Sequence, residues 1–316
     1  MSTGPLVSVI MANFNGSRFV GGAIQSLMKQ TVTDWELIFV DDASTDDSVA
    51  MARAAANGDP RVAIIVQPEN RGPAAARNRT LHVARGEWIA TFDSDDLMAP
   101  RRLERLLNRA AFDRAAIVAD NLLLFSEAAP KPRPYLKGDL ADAAQWIGLT
   151  DLIESNCLYS RTPDLGYLKP MIKRDLITQL DACYDERLRI GEDYHFLASL
   201  LASGHRLRLE PSALYLYRKH ESSVSHRMNA TDILALIDAD ERFRKRSLNH
   251  RERRSLDRRR QSLDALLVYD GIVHAIKQGR PAQGAGLAVR HPRVWPLLTR
   301  PITARLKRVG QALGAS

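Results

Sequence analysis

The chain has 316 residues, enough for about two domains, or for one domain with an appendage, at ~150 residues per domain. Its 45% hydrophobic and 26% charged content is ordinary for a globular protein and excludes global disorder, while Cys157 and Cys183 alone make neither a disulfide framework nor a zinc cluster and suit a reducing cytoplasm. The net charge of +8 is unevenly spread: residues 226–316 carry 19 basic and 8 acidic side chains, so the positive excess lies in a tail expected to meet something anionic.

Leu6–Ala12 is a short apolar, β-branched run and predicts a strand. Phe19, Ala23, Ile24, Leu27 and Met28 follow at helical spacing. Glu36–Val40 predicts a second strand, Asp46–Ala56 an Ala-rich helix and Val62–Val66 a third strand. Pro73–Ala84 predicts a helix whose proline sits where a missing N–H costs nothing. Trp88–Phe92 is the fourth strand, and Pro100–Ala111 the fourth helix. Four strand–helix units in succession predict an α/β fold, a mostly parallel sheet with helices on both faces. Beyond them, the proline-rich stretch 128–134 is expected to be a loop. Gly191–Gly204 predicts a helix, Arg206–Leu209 and Ala213–Tyr217 two strands, and Ala230–Leu248 and Arg251–Lys277 two long helices. The N-terminus lacks the basic region and cleavage site of a signal peptide, and no stretch nears the ~20 apolar residues of a membrane span.

Ligands of parallel sheets bind beyond the carboxyl ends of the strands. Those ends read Ala12-Asn13-Phe14-Asn15, Asp41-Asp42-Ala43-Ser44, Asn70-Arg71-Gly72 leading to Arg77, and Asp93-Ser94-Asp95-Asp96. Carboxylates packed as tightly as Asp93, Asp95 and Asp96 repel one another unless a cation lies between them, and hard oxygen ligands suit Mg²⁺ or Mn²⁺. The same loop could instead cap the next helix through Asp96, and Asp42 could be a turn or cap residue. Phe14 could be core and Arg77 a solvated helix residue. Glu192-Asp193 opens a helix, where acidic residues favour the dipole or supply a general base. Arg218, Lys219 and His220 could hold a diphosphate or simply leave a strand.

These pieces in this order resemble the family 2 inverting glycosyltransferases of the nucleotide-diphospho-sugar (GT-A) fold, over about residues 6–225. The resemblance implies a Rossmann-like catalytic domain at 1–225 followed by a helical, basic extension at 226–316. It implies that Ala12, Phe14 and Asp42 hold the nucleotide base, although Ala12 stands where the family usually has Pro or Thr. Asn70 and Arg77 line the nucleotide-sugar pocket, Asp93 and Ser94 lie near ribose and sugar, and Asp95 holds Mn²⁺ or Mg²⁺, with Asp96 the alternative ligand. Asp193 is the catalytic base, and Arg218, His220 and Ser222 belong to a loop closing on the diphosphate. The implied activity is transfer from a nucleoside-diphosphate sugar, a UDP-sugar foremost, to a glycan or lipid-linked acceptor in surface-polysaccharide synthesis.

The tail reads either as a helical cap on that domain or as a peripheral anchor on the anionic inner face of the cell membrane, with Trp295 and leucines entering the interface. Two rivals make different predictions. Nucleic-acid binding would want aromatic residues interleaved for stacking, which the tail lacks. A sugar nucleotidyltransferase would want a Gly-rich basic phosphate loop after the first strand, and Asn13-Phe14-Asn15-Gly16 is not one.

Overall fold

The computed structural model describes residues 4–126, 129–220 and 228–298. Strand β1 (Val7–Asn13) lies at the heart of a single sheet, between β2 (Trp35–Asp41) and β4 (Trp88–Thr91), both parallel to it. Val7, Val9, Ile10 and Met11 are all buried, the near-continuous apolar run expected of a parallel strand covered on both faces. Strand β3 (Val62–Val66) extends the sheet beyond β2, again parallel. Helices α1 (Val20–Met28), α2 (Ser48–Ala56) and α3 (Pro73–Val83) make the crossovers. Asn13 pairs with Asp41 in register, and Phe92 N–H bonds Ile10 C=O. These pairings align the first, second and fourth strand ends on one rim.

The sheet then turns mixed. A two-residue strand β5 (Leu97–Met98) intervenes before α4 (Arg102–Asp113), so the fourth helix starts later than Pro100 and Asp96 is not its cap. Strand β6 (Ile117–Ser126) is followed by β7 (Ala129–Pro134), which pairs antiparallel with it. This corrects the expected loop: prolines are tolerated on an edge strand, where no ladder N–H is needed on the outer side. A short helix α5 (Asp139–Asp142), strand β8 (Gln145–Ile147) and α6 (Leu149–Ser155) lead to β9 (Met171–Lys173), inserted antiparallel between β4 and β6. Helices α7 (Arg174–Gln179) and α8 (Glu192–Leu201) follow. The two strands expected near residues 206–217 are one, β10 (Leu207–Arg218), parallel to β6 with register shifts around Ala213. Pro211 and the bulge break the sequence pattern without breaking the strand. The order across the sheet is β3-β2-β1-β4-β9-β6-β10-β5.

The tail is helical: α9 (Ala230–Phe243), α10 (His250–Lys277) and α11 (Pro281–Arg290). The expected first tail helix stops at Phe243, because Asn249 opens α10 with a reciprocal capping box to Glu252. Phe243, Leu248 and Leu256 join the main hydrophobic core, and Ile233, Leu236, Ala239 and Leu263 pack around Leu188. None of the helices among the described residues is long and apolar enough to cross a membrane.

Candidate active site

The rim is rigid because its own polar groups bond one another. Asp41 accepts from Asn13 Nδ2 at 2.8 Å and Ser44 N–H at 2.8 Å. Asp42, 2% exposed, accepts from Gln67 Nε2 (2.6 Å), Arg71 N–H (2.8 Å) and Gly72 N–H (2.8 Å). It therefore pins the loop entering α3, and Asn70 Nδ2 adds a bond to the Asp42 carbonyl at 3.2 Å. Gly72 has φ +88° there, a conformation few side chains accept. Ala12 is half-buried, while Phe14 stands 51% exposed at the lip, so it is not core.

Arg77 follows one turn into α3, on the face whose alanines 74–76 pack inward. It is buried, not solvated. Its guanidinium reaches Asp93 Oδ1 at 2.9 Å and Glu192 Oε1 at 2.5 Å, with Asp193 Oδ1 at 3.6 Å. Opposite it lies Lys169, 4% exposed, whose Nζ sits 2.7 Å from Asp93 Oδ2 and 2.7 Å from Asp193 Oδ2. Burial alone would raise the Asp93 carboxyl, but the Lys169 and Arg77 charges override it and hold it well below the usual carboxylate range. Burial would likewise lower Lys169, and Asp193 and Asp93 instead push it well up, so it stays an ammonium. Asp193 Oδ1 has no hydrogen bond among the described residues.

Helix α8 aims Glu192 and Asp193 into this network because Gly191, at φ +85°, turns the chain sharply before it. A Cβ at Gly191 would meet Leu236 Cδ2 at 2.6 Å, so that side chain of the tail helix α9 packs directly against the turn and would have to shift. Glu192 and Asp193 are thus engaged with buried cations rather than decorating a helix end.

Asp93, Asp95 and Asp96 place carboxylate oxygens within 4.8 Å of one another. Asp93 has both oxygens committed to cations. Asp95 Oδ2 bonds His220 Nε2 at 2.8 Å, and Asp96 Oδ1 accepts Arg218 N–H at 2.7 Å. Among the described residues Asp96 Oδ2 is buried without a well-formed hydrogen bond, the Tyr215 hydroxyl lying beside the carboxyl, and burial together with Asp95 and Asp93 pushes that carboxyl well above the usual range. An orphaned buried oxygen beside two further carboxylates fits a divalent ion, with Asp95 and Asp96 offering the uncommitted atoms. Ser94 lies beside them, half-buried.

The end of β10 closes the far side. Arg218 donates from Nε to Asp95 C=O at 2.8 Å, and its guanidinium lies between the rings of Phe19 (4.9 Å) and Phe125 (4.6 Å). His220 packs on Phe19 at 4.8 Å. Ser222 lies outside the described residues. Of the residues singled out from the sequence, the structure thus brings together Arg77, Asp93, Asp95, Asp193, Arg218 and His220, and places Asp42 and Asn70 in the loop brace beside them.

Sequence reasoning missed Lys169 and its supports. The buried Arg102–Asp120 pair, at 2.9 Å, also donates to Lys169 C=O at 2.6 Å. Tyr215, fully buried, donates nothing to Asp93 but accepts its N–H at 3.1 Å. The one available signal was a lysine inside the otherwise apolar run Tyr167-Leu168-Lys169-Pro170-Met171-Ile172.

The family model described as "Glycosyl transferase family 2" matches residues 8–167. The chain is 37% identical over 306 residues to the succinoglycan biosynthesis protein ExoO of Rhizobium meliloti, covering 96% of this chain and 87% of that protein. It is 33% identical to ExoU of the same organism, over 74% of this chain and 68% of that one. Among solved structures, S. aureus TarS 1–349 in complex with UDP-GlcNAc superposes with a TM-score of 0.62 at 18% identity, covering 85% and 72% of the two chains. The mannosyltransferase PcManGT of Pyrobaculum calidifontis, in complex with GDP-Man and Mn²⁺, gives 0.59 at 19% identity, over 92% and 83%. At such identities the likeness is one of fold, the GT-A arrangement.

Proposed function

The chain belongs to glycosyl transferase family 2, and we propose that this glycosyltransferase moves a sugar, with inversion, from a nucleoside-diphosphate donor to a hydroxyl of a glycan or lipid-linked acceptor in surface-polysaccharide assembly. A UDP-sugar is the foremost donor. The polysaccharide role draws on the names of the relatives, both succinoglycan biosynthesis proteins. The donor class draws on fold neighbours held with UDP-GlcNAc and GDP-Man. The reaction is placed in the cytoplasm, at the membrane face where a lipid-linked acceptor would lie.

One observation carries the reading: a carboxylate at a helix start, Asp193, is tied through Lys169 to Asp93 of the acidic cluster on the strand rim. The base and the donor-side carboxylates therefore share one ion-pair network. Asp95 and Asp96 would hold Mn²⁺ or Mg²⁺, which when bound neutralises charge on the departing diphosphate. Ala12, Phe14 and Asp42 border the base-binding end, with Asn70 and Arg77 along the pocket. Asp93 and Ser94 lie toward ribose and sugar. Arg218, His220 and Ser222 belong to the diphosphate end, where the Arg218 guanidinium adds positive charge. Asp193 accepts the proton of the acceptor hydroxyl as its oxygen attacks the anomeric carbon. The new C–O bond forms on the face opposite the breaking bond to phosphate, so an α-linked donor yields a β-linkage. Lys169 at 2.7 Å and Arg77 at 3.6 Å hold the Asp193 carboxylate in place for that step.

The test incubates full-length protein with a panel of nucleotide sugars, Mn²⁺ and candidate glycan acceptors. We expect free nucleoside diphosphate, a β-linked product by NMR coupling, and loss of turnover with chelator. Release of pyrophosphate instead would assign nucleotidyl chemistry and sink the proposal.

A further inference from the structure

The tail's positive charge divides into two halves with different neighbours. In α9 and the first half of α10, Arg242, Arg244, Arg258, Arg259 and Arg260 each meet a carboxylate: Asp185, Asp257, Glu154, Asp240 and Glu241 respectively. The other cations of that half, Lys245, Arg246, Arg251, Arg253 and Arg254, are exposed but have no exposed large apolar side chain among them. After Asp270 the sequence contains no acidic residue at all. Lys277, Arg280, Arg290 and Arg293 are all exposed, and none has an ion pair among the described residues.

Apolar side chains stand among these charges. Helix α11 turns Gly284 toward Ile272 and Ile276, and Leu287 toward Gly271, which is its contact with α10. Its opposite face presents Ala282, Ala285, Gly286 and Val289 to solvent. Val289 is 73% exposed, Ile276 55% and Trp295 54%. The Trp295 indole N–H donates to Ala288 C=O at 2.7 Å, which anchors the ring to the end of α11.

We propose that the end of α10, the outer face of α11 and Trp295 form a docking surface for an anionic lipid bilayer. Anionic headgroups match the unpaired cations, and the interface accepts Val289, Ile276 and the indole. A second copy of this chain fits less well, because a face-to-face pair would set these cations against each other. Nucleic acid would meet the charges but leave the apolar face of α11 in water, with one indole for stacking. The inference stands apart from the transferase reading, since it uses none of the cleft residues.

Full-length protein is sedimented, without donor, with vesicles of phosphatidylcholine alone or with about one third phosphatidylglycerol, at low and high salt. Binding is expected on the anionic vesicles, weakening with salt as the Debye length falls to ~3 Å at 1 M. Trp295 emission should shift to the blue on binding, since Trp35 and Trp88 are already buried at 2% and 5% exposure and the half-buried Trp146 is held in strand β8; the shift should vanish in Trp295→Phe. Removing charge costs about fivefold in partitioning per residue, so Arg290→Gln with Arg293→Gln should lose over tenfold. Removing equal charge at Arg251 and Arg254, exposed on the first turns of α10, should cost much less. Val289→Asp should act like the Arg290/Arg293 pair. Donor hydrolysis by each variant, measured without vesicles, should stay at the parental level, which separates failure here from failure of the transferase. Equal binding to neutral vesicles, equal loss at Arg251 and Arg254, equally tight binding to duplex DNA, or a dimer broken by Val289→Asp without vesicle binding would each overturn the proposal.

Discussion

One ammonium holds the two carboxylates on which the proposed chemistry depends. Lys169→Met would leave Asp93 with Arg77 alone and Asp193 with a partner no nearer than 3.6 Å. An uncompensated charge in a buried site costs ~3–5 kcal/mol, so urea unfolding should report a loss of that order. Turnover should fall by ~10² or more through Asp193 on the acceptor side, and donor KM should rise as well, since Lys169 also holds Asp93 on the donor side. A variant with parental kcat and only lower stability would reduce Lys169 to scaffolding. Asp95→Asn should behave in the opposite sense: removing one charge from a self-repelling cluster keeps or raises stability without metal. It should abolish Mn²⁺-dependent donor binding, read by thermal shift. Unchanged Mn²⁺-dependent binding would remove Asp95 from the ligand set. The sequence made Asp95, Asp93 and Asp193 legible because carboxylates at a strand end or a helix start carry a local pattern. It did not make Lys169 legible, because its partners come from α8 and the end of β4, and nothing near it in the chain marks it as more than a lysine before a strand.

The element that carries Asp193 is held from behind by the tail. On α8, Tyr194 stacks under the Arg259 guanidinium at 4.1 Å, and His195 Nε2 faces Asp240 Oδ1 at 3.5 Å. Arg259 pairs with Asp240 and bonds Asn156 Oδ1 at 2.7 Å, joining α6, α8, α9 and α10. His195 stays neutral in this setting, its pKa lowered to about 3 by burial and then by the Arg259 charge. The unfolded histidine, near 6.5, therefore binds a proton over pH 3 to 6.5 that the folded one refuses. Stability is intact above pH 6.5 and falls with pH through that window, by ~1.4 kcal/mol per unit at most. His195→Asn should flatten this slope by about one proton's worth between pH 4.5 and 6.5, measured by urea midpoints. Parallel slopes for the two proteins would mean His195 protonates in the fold. Elements of this kind differ in how well they show in sequence. Strands β1, β2, β4 and helix α8 were legible because burial on both faces, or inward leucines at helical spacing, leave a pattern, and the edge strand β3 through its β-branched run. Strand β7 was not, because its prolines are permitted by its edge position, and position in a sheet is a tertiary property. Strand β10 read as two because Pro211 and the bulge interrupt its alternation while β6 keeps pairing with it.

At the scale of the molecule, the boundary expected near residue 225 separates charge but not packing. Phe243, Leu248 and Leu256 belong to the same core as β1 and β4, and the Leu236 side chain fills the space beside Gly191. Cutting the chain after Arg227 would uncover Leu188 and leave Arg189 without Asp232 and Asn156 without Arg259. Burying a leucine or phenylalanine contributes ~1.5–3 kcal/mol, so losing the burial of Leu236, Phe243, Leu256 and Leu263 removes an amount comparable with the ~5–15 kcal/mol by which domains are stable. The 1–227 fragment is therefore expected to aggregate, or to lack a cooperative thermal transition and donor binding. Cutting after Gly279 removes α11 and Val294 and uncovers Ala265 and Ile272, their partners on α10. That fragment keeps every rim residue and the whole α6–α8–α9–α10 interlock. It should elute as a folded protein and keep a nucleotide-dependent thermal shift, with vesicle binding lost. Size-exclusion chromatography and thermal shift with UDP and Mn²⁺ on the two fragments decide it. A soluble 1–227 fragment that binds nucleotide as the full chain does would make the tail a separable domain after all, and the positioning of Asp193 a property of residues 1–227 alone.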